Sequence, residues 1–546
     1  MFTRRQFLKA SLGAVGASAL ALQGCGSEND TPVGPKLGCR PTGSTTGGMQ
    51  NIEHVVVVML ENRSLDNLLG WLYSDQQNHP PGNIPSSSTP TYEGLRERTF
   101  FNKDVQTNTL VYASAPTGSW PPDHNPMRVP DPDPGESFEQ ITRQLFGTAS
   151  PLPNAHADMS GFLLDYTALA GPTAAAQIMQ SYSPQQTPVI SGLAKSFAVC
   201  DHWYASAPCQ TWPNRGFVHT GSSDGHINND DYELYDIQTI FNVMSAQGIS
   251  WGVYADTLYT PSLTHVQFPR LLLFPDHFQN FAAFKKLCGA ALSASASEKL
   301  PAYSFVEPRF TVEHDISVTY YPEDYHPPYN LSAGEQFLAE IYTAIRQSPY
   351  RDKILLIITF DEHGGCYDHV PPPTGAVAPD PGPVSRDGTF HFDRYGVRVP
   401  TIIVSSYVQP GTVFRAAPGT PPYDHTSILA TLRDWKNMAC SAAEPFLPSP
   451  RIKNAPTLHP VLALSDRNKQ TNWPSIAAPP MVGGPAPAGI MERPINDVQL
   501  GLLLGVANQR NNNQYIGRAA VQSLSQQIKT HRQALAFMRP DLNLDQ

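Results

Sequence analysis

Three runs of consecutive apolar, mostly β-branched residues constrain the fold of this chain most. Residues 52–60 read Ile-Glu-His-Val-Val-Val-Val-Met-Leu, residues 354–360 read Ile-Leu-Leu-Ile-Ile-Thr-Phe, and residues 399–405 read Val-Pro-Thr-Ile-Ile-Val-Ser. A strand with one wet face alternates apolar and polar side chains. A continuous apolar run must be covered on both faces, as in a buried, parallel strand. Helical patterns lie between the runs, at 188–198, 237–247 and 333–347. Strands alternating with helices predict an α/β fold, a mainly parallel central sheet flanked by helices.

Proline shapes the rest. The chain has 53 prolines in 546 residues, close to twice the usual share of about 5%. Proline locks φ and removes a backbone donor, so it favours long ordered loops. Segments 75–135 and 366–395 are too long for plain connections and are expected to be functional loops over the sheet edge. Residues 441–546 read as a proline-rich segment followed by a helical C-terminal extension, with helical patterns at 497–507 and 519–536.

The N-terminus reads as an address. Arg4-Arg5-Gln6-Phe7-Leu8-Lys9 precedes a short apolar run ending at Leu22. The run is too short to span a bilayer and suits a signal peptide. The paired arginines resemble the twin-arginine signal, so residues 1–24 are expected to engage the twin-arginine export machinery. The expected location is periplasmic, envelope-anchored or secreted. Leu22-Gln23-Gly24-Cys25 resembles a lipoprotein cleavage box, which would make Cys25 a lipid anchor; residues 25–49 form a flexible linker. Without Cys25 six cysteines remain, an even set that could pair in an exported protein or serve as buried small hydrophobes. The net charge is −10 with no basic cluster downstream, which excludes nucleic acid as a partner.

Two buried runs end in acid groups. The first leads into Glu61-Asn62-Arg63-Ser64-Leu65-Asp66, the second into Asp361-Glu362-His363-Gly364-Gly365. Ligands of open parallel sheets bind outside the carboxyl ends of strands. Glu61, Asn62, Asp361 and Glu362 would bring hard oxygen ligands together, and such crowded negative charge calls for a cation. Either segment alone also reads as a helix cap. A third segment, Gln210-Thr211-Trp212-Pro213-Asn214-Arg215, has the look of a helix start. Such an end favours phosphate, and a threonine on a metal becomes a nucleophile; a simple structural cap fits it as well. His124 (after Asp123), His326 and His425 lie in proline- or acid-flanked loops and are candidate proton donors.

At these residues the chain resembles the phosphoesterase family of bacterial phospholipases C, acid phosphatases and plant non-specific phospholipases C. The likeness rests on 52–66, on 211–215, on Asp324-Tyr325-His326-Pro327, and on 359–373, Thr-Phe-Asp-Glu-His-Gly-Gly-Cys-Tyr-Asp-His-Val-Pro-Pro-Pro. It implies an alkaline-phosphatase-like core, with residues 50–440 as the catalytic domain. It implies one divalent metal (calcium, magnesium, manganese or zinc) on Glu61, Asn62, Asp361, Glu362 and the nucleophile Thr211. It also implies pocket histidines His124, His326 and His425, with Asp123 and Asn214 toward the substrate. The expected reaction is phospholipid cleavage to diacylglycerol and a phosphorylated head group through a phospho-threonine. Monoester hydrolysis by an acid phosphatase, and a non-catalytic surface lipoprotein, are the alternatives.

Overall fold

A computed structural model of the chain describes residues 47–115, 125–152, 155–229, 234–315, 317–438, 446–481 and 483–541. The leader, Cys25, Cys39, Asp123, His124 and Cys440 lie outside the described residues.

The sheet has nine strands: β1 (His54–Leu60), β2 (Gly82–Ile84), β3 (Ala198–Cys200), β4 (Trp251–Ala255), β5 (Phe278–Asn280), β6 (Tyr303–Glu307), β7 (Ile354–Phe360), β8 (Thr401–Val404) and β9 (Thr412–Phe414). Their spatial order is β2-β9-β3-β8-β7-β1-β6-β4-β5. β1 and β7 pair in parallel at the centre, Leu60 opposite Phe360. All seven residues of each are buried. Burying one such valine or leucine contributes about 1.5–3 kcal/mol, so these strands form the stable centre of the sheet. The third apolar run does form a strand, β8, but it is antiparallel to both β7 and β3. Burial on both faces is blind to chain direction, so an apolar run cannot distinguish the two.

Five helices matter for the site: α1 (Leu65–Leu69), α2 (Phe138–Phe146), α3 (Thr211–Thr220), α4 (Leu331–Arg346) and α5 (Asp497–Arg510). Ser64 caps α1 by accepting from the Asn67 amide, and a Ser137–Gln140 capping box starts α2. The predicted helix at 519–536 is two helices, Arg518–Gln527 and His531–Met538. Cys200, Cys209, Cys288 and Cys366 are all buried free thiols, so the expectation of pairing fails for these four, which pack as small apolar groups. No helix among the described residues is long and apolar enough to cross a membrane.

Candidate functional site

Because β1 and β7 are parallel neighbours in register, their carboxyl ends deliver Glu61-Asn62 and Asp361-Glu362 side by side. All four side chains are fully buried. Asp361 Oδ1 accepts from the backbone N–H of Asn62 (3.2 Å) and of Glu362 (2.8 Å), which locks the two strand ends together. Asn62 sits at φ 58°, a left-handed conformation that asparagine tolerates better than most residues. Gly364, at φ +59°, passes so close that a Cβ would lie 2.3 Å from the Asn62 carbonyl oxygen. Glycine is required there on both counts.

Thr211 is the first residue of α3 and is fully buried. Its hydroxyl donates to Glu61 Oε2 at 3.2 Å, with Asn62 Oδ1 at 3.5 Å. One helical turn later, on the same face, Arg215 donates to Glu61 Oε1 through Nη2 (2.5 Å) and Nε (3.1 Å). It also lies 3.6 Å from Asp361 Oδ2. The expected set therefore converges, with the threonine hydroxyl between a carboxylate and an amide oxygen.

The charges do not balance. Burial pushes the Glu61 carboxyl well above its usual range and the neighbouring Asp361 adds to this, against the pull of Arg215. Burial, Glu136 and Asp361 do the same to Glu362. Asp361 Oδ2 and Glu362 Oε1 are buried and accept no hydrogen bond. Crowded carboxylates with buried oxygens that accept no hydrogen bond, beside an amide and a hydroxyl oxygen, fit a hard divalent cation. The residues that could hold it are Glu61, Asn62, Thr211, Asp361 and Glu362.

His326 lies against this group. Its Nδ1 is 2.5 Å from the Pro327 carbonyl, and its Nε2 faces Asn62 Nδ2 at 2.8 Å. The Nδ1–H is given to that carbonyl, and Nε2 faces the centre. Asp133 Oδ1 (3.4 Å from Nδ1) and Glu136 Oε1 (3.4 Å from Nε2) flank the ring. Burial alone would lower the His326 pKa; these two carboxylates outweigh it and raise it well above 6.5. Asp133, Glu136 and His326 form one of two compact carboxylate–imidazole clusters among the described residues. The other, Asp66–Asp368–His369, is filled by Arg398, which donates to Asp66 and Asp368 at 3.0 Å each.

Two further candidates, His425 and Asn214, are engaged with neighbouring groups. The ring nitrogens of His425 are both engaged: Nε2 with the Asp361 carbonyl (2.6 Å), Nδ1 accepting from Trp203 (3.3 Å). It holds the Asp361 strand end in place. Asn214 spends its amide on the preceding turn, donating to the Cys209 carbonyl (2.7 Å) and accepting from the Ala207 N–H (3.2 Å). It shapes the loop that presents Thr211. Asp123 and His124 lie outside the described residues.

Several site residues were not anticipated. Arg215 had a signal, its i+4 spacing from Thr211. Asp133 and Glu136 come from the end of a loop expected to be functional, but no pattern singles them out. Asn496, from the C-terminal extension, places Nδ2 3.2 Å from His326 Nε2; nothing in the local sequence foretells that contact.

The chain is similar to several known proteins. Non-specific phospholipase C3 of Arabidopsis thaliana is 33% identical over 407 residues, covering 71% of this chain and 70% of its own. Non-specific phospholipase C4 of the same plant is 35% identical over 71% of this chain and 69% of its own. Non-hemolytic phospholipase C of Burkholderia pseudomallei is 25% identical over 78% of this chain and 60% of its own. A solved alkaline phosphatase superfamily protein from Vibrio parahaemolyticus matches 46% of this chain and 60% of its own, at 14% identity and a TM-score of 0.28. The sequence profile described as "Phosphoesterase family" matches residues 52–438, the stretch that carries every residue of the Thr211 centre, so this chain belongs to the phosphoesterase family and is a phosphoric ester hydrolase.

Proposed function

We propose that this protein is a metal-dependent phospholipase C with Thr211 as its nucleophile, releasing diacylglycerol and a phosphorylated head group. The observation that carries the reading is the placement of the Thr211 hydroxyl, 3.2 Å from Glu61 Oε2 and 3.5 Å from Asn62 Oδ1, at the start of a buried helix. The phospholipid substrate is supported by the plant and bacterial phospholipases C to which the chain is similar.

A divalent cation held by Glu61, Asn62, Thr211, Asp361 and Glu362 would supply Lewis acidity and lower the pKa of an oxygen it touches. The chain's own residues do the rest. Glu61 Oε2 holds the Thr211 hydroxyl, and Arg215 keeps that carboxylate from turning away. Glu61 Oε2, which accepts the hydroxyl's hydrogen bond, takes up its proton as the Thr211 oxygen attacks phosphorus, and the bond from phosphorus to the glycerol oxygen breaks with its electron pair going to that oxygen. His326 gives it the proton carried on Nε2. The phosphoryl group, still bearing its head group, is left on Thr211. Water then attacks phosphorus, His326 takes up a proton of that water, and the bond from phosphorus to Thr211 breaks with its electron pair going to the threonine oxygen, which recovers its proton from Glu61.

The leader composition supports export by the twin-arginine route, with Cys25 as a lipid anchor. The test of the reaction is a side-by-side assay of metal-replete protein on phosphatidylcholine and p-nitrophenyl phosphate, with Thr211→Ala as control. Faster turnover of the lipid, abolished in the variant, is the expected result. Turnover of the monoester alone would make the enzyme a phosphatase. Turnover of neither would restore the binding-protein alternative.

A further inference from the structure

Residues 101–112 fold as a hairpin that carries large apolar side chains outward. Its strands, Phe101–Lys103 and Leu110–Tyr112, pair antiparallel, with Phe101 opposite Tyr112 and Lys103 opposite Leu110. Side chains alternate along a strand, and directly opposed residues share a face. One face therefore presents Asn102 and Val111, the other Phe101, Lys103, Leu110 and Tyr112. The Asn102 face is tied to the body of the protein: its amide donates to the Met159 carbonyl (2.9 Å) and accepts from the Leu163 N–H (3.0 Å). On the other face Phe101 is 46% exposed and Leu110 44%, and Val105 in the turn between the strands is 67% exposed. Single exposed apolar residues are ordinary. Three on one short hairpin, with Lys103 beside them, make a surface suited to an apolar partner with a charged rim.

The outward face runs into a cavity. The Phe101 and Tyr112 rings meet edge to face with centroids 5.6 Å apart, and the Arg98 guanidinium lies 5.1 Å from the Tyr112 ring centre. Tyr112 and Arg98 also line a cavity of about 400 Å³, with Trp71, Asp75, Glu97 and Lys195 in its wall. Its size is that of a small-molecule pocket. Trp71 is 92% buried, and its indole N–H has no acceptor. A buried donor left in that state costs stability, so a ligand that accepts from it is favoured. The wall also carries two cations and two carboxylates; Lys195 and Asp75 face each other at 3.4 Å. The cations and the indole N–H suit a phosphodiester, and the carboxylates and aromatic rings suit an ammonium group. A zwitterion carrying both matches the whole wall.

We propose that the hairpin and cavity form a docking site for the surface of a phospholipid bilayer, sharing no residue with the Thr211 centre. A zwitterionic head group occupies the cavity, and Phe101, Leu110 and Val105 enter the acyl boundary. Lys103 reaches the lipid phosphates while its stem stays against apolar surface. The choice of a phospholipid as occupant rests on the phospholipase reading of the substrate. Docking keeps the enzyme at the bilayer between turnovers, which raises the effective concentration of lipid in a vesicle and does nothing for lipid in free solution.

Vesicle sedimentation and turnover test this together. The chain is used without its leader and with Cys25→Ser, so that neither an apolar leader nor an acyl chain carries it to lipid. Binding to phosphatidylcholine vesicles is measured on metal-replete protein with Thr211→Ala, to keep the lipid intact. Turnover is measured with Thr211 present, on phosphatidylcholine in vesicles and on dihexanoyl phosphatidylcholine below its micelle concentration. Phe101→Ser with Leu110→Ser is expected to weaken vesicle binding about tenfold through lost apolar burial, and Trp71→Phe about tenfold through one lost hydrogen bond to a charged group. Both are expected to keep Tm and to turn over the monomeric lipid at the wild-type rate. Vesicle binding at wild-type strength in either variant overturns the proposal. So does a wild type that cleaves the monomeric lipid but does not sediment with vesicles, and the phospholipase reading then stands. A wild type that cleaves neither form overturns that reading and this choice of occupant with it. Should Trp71→Phe melt early, Arg98→Gln, at an exposed residue, replaces it under the same criteria.

Discussion

Glu136 offers the sharpest perturbation of the metal site, because it touches a ligand and not the cation's own oxygens. Asn62 Nδ2 donates to Glu136 Oε1 at 2.6 Å, a short hydrogen bond to an ionisable acceptor. A carboxylate cannot donate, so it fixes the NH2 of Asn62 on its own side and turns Oδ1 toward Thr211. Glu136→Ala removes that constraint and one nearby negative charge. Loss of a partner that orients a ligand costs about 10–100-fold in metal affinity, or about 1.4–2.8 kcal/mol. Glu136→Gln keeps an acceptor oxygen and is expected to lose under about tenfold, most of it from the missing charge. The assay is calorimetric titration of metal-free protein with calcium, magnesium, manganese and zinc in turn, with thermal unfolding as a check on folding. Equal affinity in wild type and both variants would refute the orientation argument. Failure of the wild type to bind any of the four would refute the site itself.

Two further predictions concern the charge network beneath the loop at 366–370. Arg398 and its partners Asp66 and Asp368 are wholly buried, so Arg398→Met strands two carboxylates and is expected to cost about 3–5 kcal/mol in urea unfolding; Asp66→Asn with Asp368→Asn in the same background should recover much of it, and a loss under 1 kcal/mol, at the scale of an exposed pair, would contradict the network's importance. Burial works against the His369 imidazolium, but the Asp66 carboxylate outweighs this, with Glu93 aiding and Arg398 opposing, and its pKa rises to about 9. A pKa raised on folding gives stability that is complete below the unfolded value of about 6.5 and lost as pH rises through 9. Tm should therefore fall between pH 7 and pH 10 more steeply in wild type than in His369→Gln; parallel curves would contradict the assignment.

Much of this was legible in the sequence because it depends on short-range pattern. The apolar runs at 54–60 and 354–360 are strands for the reason expected, burial on both faces, and the acids after them meet because parallel neighbours in register share an end. The direction of β8 was not legible, since burial carries no direction. The contacts of His425 and Asn214 were not legible because a residue type and its neighbours do not reveal which partners its polar atoms will find: a backbone carbonyl at Asp361 for one, the 207–210 turn for the other. Glu136 and Asn496 reach Asn62 and His326 from 74 and 170 residues away in sequence. Contacts at that separation are fixed by tertiary packing and leave no local trace.

Thr211 is proposed to carry the phosphoryl group between the two halves of the reaction. Metal-replete protein mixed with substrate, quenched in acid within the turnover time and digested for mass spectrometry tests it directly. A phosphoryl adduct is expected on the peptide containing Thr211, absent from Thr211→Ala, which should also be inactive while binding metal and folding normally. An adduct on another residue, or substantial turnover by Thr211→Ala, would contradict it.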